Sequence, residues 1–169
     1  PATGLLTNKL YADGSGVAYA YTPEGRLASR RWARGVAASY AYDARGQLQS
    51  IDYSDATPDV SFTYDRLGRQ KTITDALGTR TNAYDPSSLA LIAEEMPNGV
   101  DLRRKYDALG RPSGFSIGAY SVSYSYDAVG RFHSISSSVD SSEFAANYSY
   151  LPGSDLLAGY AAGHGPSVA

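Results

Sequence analysis

A tyrosine–aspartate motif recurs along the 169 residues, and such a period restricts a chain to stacked copies of one small unit. The motif reads aromatic-x-Tyr-Asp-x-x-Gly-Arg. It occupies residues 19–26, 40–47, 62–69, 105–111 and 124–131, with degenerate forms at 83–88 and 148–153. Its second tyrosines are Tyr21, Tyr42, Tyr64, Tyr84, Tyr106, Tyr126 and Tyr150, so the steps are 21, 22, 20, 22, 20 and 24 residues. Asp43, Asp65, Asp85, Asp107 and Asp127 follow the tyrosines. Gly25, Gly46, Gly68, Gly110 and Gly130 close the motif, and Arg26, Arg69, Arg111 and Arg131 come directly after.

A second set of turn signals lies between the motifs, at residues 13–16, 33–35, 54–55, 75–78, 97–99 and at Gly118. Each unit of about 21 residues therefore holds two turns and two extended runs rich in Tyr, Thr, Val and Ser, the pattern of an all-β chain. About fourteen short strands result, in one antiparallel hairpin strip. Residues 89–95 have helical propensity, but their place in the repeat predicts a strand. An Asp opening a tight turn accepts a main-chain N–H, and a left-handed Gly three residues later ends it. Type I turns with such a glycine bulge connect hairpins. In the return strand Leu48 and Ile51 have opposite parity, as do Phe132 and Ile135, which predicts a bulge or two partly packed faces. Equivalent tyrosines recur every second strand, too far apart for ring contact, so Leu27, Leu48 or Phe132 fill the gaps. A ribbon of this width curls rather than staying flat.

Leu, Ile, Val and Phe number only 31, while Tyr supplies 15. Tyrosine must therefore do much of the burying, each hydroxyl reaching a partner or the surface. The net charge of -2 argues against a nucleic-acid binder. The absence of Cys removes disulfides, Cys-ligated zinc, iron–sulfur clusters and cysteine nucleophiles. No apolar run approaches the ~18 residues of a membrane span. The opening Pro1-Ala2-Thr3-Gly4 lacks an initiator Met and suggests a processed or excised piece of something longer.

No residues assemble into a specific catalytic, metal or cofactor site. One Asp per turn, with Gly in register, reads as turn capping rather than calcium ligation. The post-turn arginines are placed near those Asp residues or over Tyr rings. His133 lies in a return strand and His164 in the 163–166 tail. Glu94 and Glu95 point to opposite strand faces, a poor acid–base pair. Trp32, beside Arg30, Arg31 and Arg34, is the one feature outside the pattern. It reads as a tryptophan packed by arginines at a strand end, with ligand contact as the alternative. An enzyme finds no support, since a catalytic site is a unique constellation.

Residues 64–69 (Tyr-Asp-Arg-Leu-Gly-Arg), 106–111 and 126–131 resemble the YD repeat of bacterial Rhs proteins, which also occurs in insecticidal toxin-complex subunits and animal teneurins. The resemblance covers nearly the whole chain, 1–169, as a single array of about seven repeats within a longer protein. It implies a hairpin strip spiralling into a hollow shell, secreted or on a bacterial cell surface. The implied function is a structural wall that encloses or displays other domains, without a cofactor. The alternative is an extracellular glycan- or receptor-binding adhesion module. Implied partners are flanking repeats or further copies stacked edge to edge, an enclosed toxin domain, or a surface glycan, with no nucleic acid. Asp85-Pro86 is followed by Ser87-Ser88 inside a repeat, so the family's self-cleavage is not carried over. Exposed strand edges are expected near residues 5–7 and 156–157, guarded only by Lys9 at the first. At the second, Gly163, Gly165 and Pro166 are expected beyond the strand, and both edges are expected to be covered by more polypeptide.

Overall fold

A computed structural model describes residues 4–140 and 142–164. The described residues form fifteen strands and no helix, and the order of strands in the sheet is their order in the chain. This is the predicted all-β hairpin strip, with one strand more than the turn count suggested. The chain divides into two compact units, residues 1–81 and 82–169.

The first unit contains β1 (Asn8–Leu10), β2 (Gly16–Tyr21), β3 (Leu27–Arg31), β4 (Ala37–Tyr42), β5 (Leu48–Tyr53), β6 (Val60–Tyr64), β7 (Gln70–Asp75) and the start of β8 (Gly78–Tyr84). The second contains β9 (Leu91–Glu95), β10 (Asp101–Tyr106), β11 (Pro112–Ile117), β12 (Tyr120–Tyr126), β13 (Phe132–Val139), β14 (Ser142–Tyr150) and β15 (Leu157–His164). Residues 91–95 are thus a strand, as the repeat required. Two expectations need correction. Gly163 and His164 belong to β15 rather than to a tail, because Ala145 and Phe144 of β14 pair with them. Gly165 and Pro166 lie outside the described residues.

The parity conflict in the return strands resolves as a bulge. Tyr42 pairs with Leu48 and Ala41 with Ser50, so Gln49 is left over. The same slip leaves out Ala28, Lys71, Ser113, His133 and Ala158 in the other motif hairpins. One extra residue reverses the alternation. Leu48 and Ile51 therefore pack on the tyrosine face together, while Gln49 is exposed.

The core is thin. Its buried apolar members among the described residues are small: Val17 and Ala38 in the first unit, and Ala93, Val122 and Ala146 in the second. Four of the five stand two residues before the motif's first aromatic, so the buried-face pattern is small-x-Tyr-x-Tyr: Val17, Tyr19, Tyr21; Ala38, Tyr40, Tyr42; Val122, Tyr124, Tyr126; Ala146, Tyr148, Tyr150. Taller side chains on the neighbouring strands close over the small one. Arg30 and Tyr53 flank Ala38 in register, and Phe115 flanks Val122. Phe132 fills the gap between tyrosines as expected, with ring centroids 5.8 Å from Tyr124, 6.0 Å from Tyr126 and 5.3 Å from Tyr148.

Gly46, Gly68, Gly110 and Gly130 all have positive φ, between 77° and 89°. The degenerate turn is different: it is one residue longer, closes from Asp85 N–H to the Ala90 carbonyl, and places Leu89 at φ 62°. A left-handed L-residue costs roughly 1–2 kcal/mol. Gly110→Ala is therefore expected to lose about 1–2 kcal/mol in urea unfolding, whereas Leu89→Gly is expected to be neutral or stabilising by up to about 1 kcal/mol. Equal losses at both positions would show that the turn backbone is not what sets the requirement for glycine.

Candidate functional site: the repeated turn and the Trp32 groove

Every intact motif turn closes in the same way. In residues 43–47 the Asp43 N–H donates to the Gln47 carbonyl, and the Gly46 N–H donates to the Asp43 carbonyl. Residues 65–69, 107–111 and 127–131 repeat both bonds. One oxygen of the Asp carboxylate then accepts two more N–H groups. Asp65 takes those of Leu67 (2.8 Å) and Arg69 (3.0 Å), Asp107 those of Leu109 and Arg111 (both 2.9 Å), and Asp127 those of Val129 (3.0 Å) and Arg131 (2.9 Å). Asp43 likewise takes Arg45 and Gln47, and Asp85 takes Ser87 and Ser88. The capping role expected of these carboxylates is what the geometry shows.

The second carboxylate oxygen meets the post-turn arginine. Arg69, Arg111 and Arg131 each donate Nε–H to Oδ2 of their own Asp at 2.7 Å. The same guanidinium reaches the next repeat. Arg111 lies 4.1 Å from the Tyr126 ring centroid and Arg131 4.4 Å from that of Tyr150, while Arg26 lies 5.6 Å from Tyr42. Arg131 also donates to the Ser154 carbonyl of the following turn. Asp and tyrosine-face contacts, offered by the sequence as alternatives, thus occur together, and the arginine is a strut between repeats. A side chain on Gly46 would displace the Arg26 guanidinium, so that glycine serves close approach as well as positive φ.

The second tyrosine of the motif closes the other side of the repeat. Pairing between a return strand and the strand after it stops short of the motif turn: β3 and β4 end at Ser29–Ser39, and β11 and β12 at Gly114–Ser123. The tyrosine hydroxyl takes a carbonyl beyond that point. Tyr21 donates to Leu6 (2.8 Å), Tyr42 to Leu27 (2.9 Å), Tyr64 to Leu48 (2.8 Å), Tyr106 to Leu91 (3.0 Å), Tyr126 to Pro112 (2.8 Å) and Tyr150 to Phe132 (2.6 Å). Tyr84, the last residue of β8, ends its strand as the other motif tyrosines do. The sequence showed that each hydroxyl needed a partner; that the partner is the carbonyl left at the end of a ladder depends on the bulge and was not legible.

Partial burial pushes the Asp65, Asp107 and Asp127 carboxyls up. Hydrogen bonds from the arginine side chain and two turn N–H groups, with the guanidinium charge, outweigh it and hold all three below the usual aspartate value. Burial pushes the Tyr64 phenol up, with a further contribution from the Asp43 charge. Among the described residues no three His, Cys, Asp or Glu side chains gather to hold a metal. His133 is an exposed bulge residue in β13, His164 stacks edge-on to Phe144, and Glu94 pairs with Arg104. Glu94 and Glu95 fall on opposite faces, as expected.

Trp32 occupies the position that Asp holds in a motif turn. Trp32 N–H donates to the Val36 carbonyl and Gly35 N–H to the Trp32 carbonyl, the same closure as in residues 43–47. Arg30 lies 4.7 Å and Arg34 5.8 Å from the half-buried indole. The packing by arginines is as read from the sequence. A shallow groove of about 300 Å³ adjoins it, lined by Asn8, Leu10, Gly16, Ala18, Arg31 and Trp32 among others.

Residues 42–80 match the family model for the RHS Repeat. Those residues carry the Rhs, or YD, repeat. The fold agrees. A crystal structure of TcdB2-TccC3-Cdc42 superposes with a TM-score of 0.76 at 18% identity, covering 91% of this chain. The Photorhabdus luminescens Tc holotoxin pore, bearing a TccC3 mutation, gives 0.75 at 18% identity over 91% of this chain. A further TcdB2-TccC3 crystal structure gives 0.70 at 18% identity over 83%. This chain spans 9% of the length of each of those chains. No curated protein matches it by sequence.

Two outcomes are expected from this geometry. Tyr126→Phe leaves the Pro112 carbonyl without its donor and should cost about 1 kcal/mol in urea unfolding, with the rings of the cluster undisturbed. An unchanged midpoint would mean that water satisfies that carbonyl. The second concerns acid. A carboxyl whose pKa is lower in the folded than in the unfolded chain stabilises above the unfolded value and loses that contribution as pH falls through the folded one. Thermal stability should therefore decline below about pH 4. Asp107→Asn should be less stable than the parent at neutral pH, and its melting temperature should fall less steeply in acid.

Proposed function

We propose that the chain is a wall segment of an Rhs-type shell, a structural scaffold that encloses or displays other parts of a larger secreted or surface protein. The observation that carries this reading is where the motif's polar groups go. Carboxylates, guanidinium groups and phenols that could serve chemistry are engaged with their own turn or the adjoining repeat. A wall needs this, because a single sheet without a second layer must obtain its rigidity from contacts along itself. The similarity of fold to TcdB2-TccC3 assemblies over 91% of the chain supports the same reading. The array 1–169 is then one stretch of about seven repeats, its partners being neighbouring repeats and an enclosed polypeptide.

Electron microscopy of the full-length gene product tests this. A closed or spiral shell with residues 4–164 in its wall is the expected image. A segment standing free as an exposed filament, or a bound substrate converted at residues of this array, would replace the scaffold reading.

A further inference from the structure

The groove beside Trp32 is built differently from the rest of the repeat. Its floor is low because Gly16 and Ala18 of β2 share one sheet face and carry almost no side chain. The register fixes its two walls. Leu10 stands opposite Gly16 and Asn8 opposite Ala18 on the β1 side, while Arg31 stands opposite Ala18 on the β3 side. One wall is therefore apolar at Leu10, which is 74% exposed, and the other is cationic. Trp32 closes one end.

The charge here is unbalanced. Arg31, the arginine that lines the groove, forms no ion pair among the described residues, whereas Arg69, Arg103, Arg104, Arg111 and Arg131 pair with carboxylates; Arg30 and Arg34 are likewise without an ion pair, as are Arg26, Arg45 and Arg66 elsewhere. Nearby acids are weak counterweights. The Asp13 carboxylate is engaged by Ser15, and Asp55 feels Arg34 while accepting from Thr57. Residues 1–81 carry ten basic and eight acidic side chains against five and nine in 82–169, so the excess of positive charge lies on the unit with the groove.

We propose that this groove docks an extended polypeptide segment of alternating acidic and apolar residues, its carboxylates on Arg31 and its apolar side chains on Leu10 and Trp32. An extended segment lying along β2 sends successive side chains to opposite sides. Walls of opposite character then select alternation, which a flat charged patch would not. The arginines on the indole fix it in place before binding, and Trp with Arg is the pairing that concentrates binding energy in protein interfaces.

Trp32 is the only tryptophan, so its fluorescence reports on the groove directly. The 169-residue chain is titrated with acetylated, amidated Glu-Leu-Glu-Leu peptide and with the Gln-Leu-Gln-Leu analogue. The acidic peptide is expected to give a saturable change in emission that weakens several-fold between about 50 and about 500 mM salt, and the neutral one none. Arg31→Glu is expected to weaken binding at least about tenfold, by loss of one charge-assisted contact and gain of a repulsive one. Arg66→Glu, an exposed arginine at a distant turn, should bind as the parent does. Circular dichroism and hydrogen exchange confirm that both variants fold. Equal response to the two peptides, indifference to Arg31→Glu, or preference for an oligouronate over the peptide would each overturn the proposal. The last of these would make the groove a saccharide site.

Discussion

The carbonyl stranded at the end of each inter-repeat ladder is the constraint on which the rest of this structure depends. A bulge in the return strands β3, β5, β7, β11, β13 and β15 brings residues such as Leu48 and Ile51, or Phe132 and Ile135, to one face, and that face is what excludes water. The pairing with the following strand ends two residues after each return strand begins, leaving a main-chain acceptor near the motif turn. A buried acceptor without a partner costs of the order of 1–3 kcal/mol. Tyrosine alone among the common large side chains can pack a ring on the core face and still donate from its tip. The tyrosine content follows from this, and so does the thinness of the core. Residues that must reach a carbonyl at the rim cannot also be buried deeply.

The roles of the motif's other residues separate when its exceptions are compared. Residues 11–15, 32–36 and 96–100 close with the same two main-chain bonds as the motif turns, although Tyr11, Trp32 and Met96 stand where Asp would. At residues 22–26 Thr22 supplies a hydroxyl in place of the carboxylate, and the closure is unchanged. The turn therefore requires the left-handed glycine, not the acid. Arg adds the link to the next repeat, and Asp tightens it: Arg111, held by Asp107, lies 4.1 Å from the next tyrosine ring, while Arg26, with Thr22 in place of Asp, lies 5.6 Å from its own. Where glycine is missing, at Ser88, the loop lengthens by one residue and forces Leu89 into the left-handed region instead.

Turns, strands, the glycine conformation and the capping Asp were all legible because each follows from local chemistry repeated at a fixed period. Besides the carbonyl partner of each tyrosine hydroxyl, three features were not. The bulge was indicated only by a parity conflict, which has two solutions until the register is seen. The buried small residue two places before the first aromatic, as at Ala38 and Val122, could have been found by extending the alignment two positions upstream. His164 was misplaced because Gly163, Gly165 and Pro166 around it signal a break, yet pairing with β14 outweighs that local preference.

Repetition also tells where to look for what the scaffold does not need. A residue that recurs in register is explained by the contact it makes with its neighbours, and the paired arginines of the motif leave no unexplained charge. Trp32 follows the turn geometry but not the turn chemistry. It keeps the main-chain closure, replaces the capping side chain with an indole, and gathers Arg30 and Arg34 on that ring. Stability does not require this, because residues 96–100 close the same turn with Met96 and without an arginine cluster. Arg30 and Arg34, held on one ring, repel one another in the isolated chain. An anionic partner would relieve that repulsion, which is why docking is proposed at this turn rather than at the others.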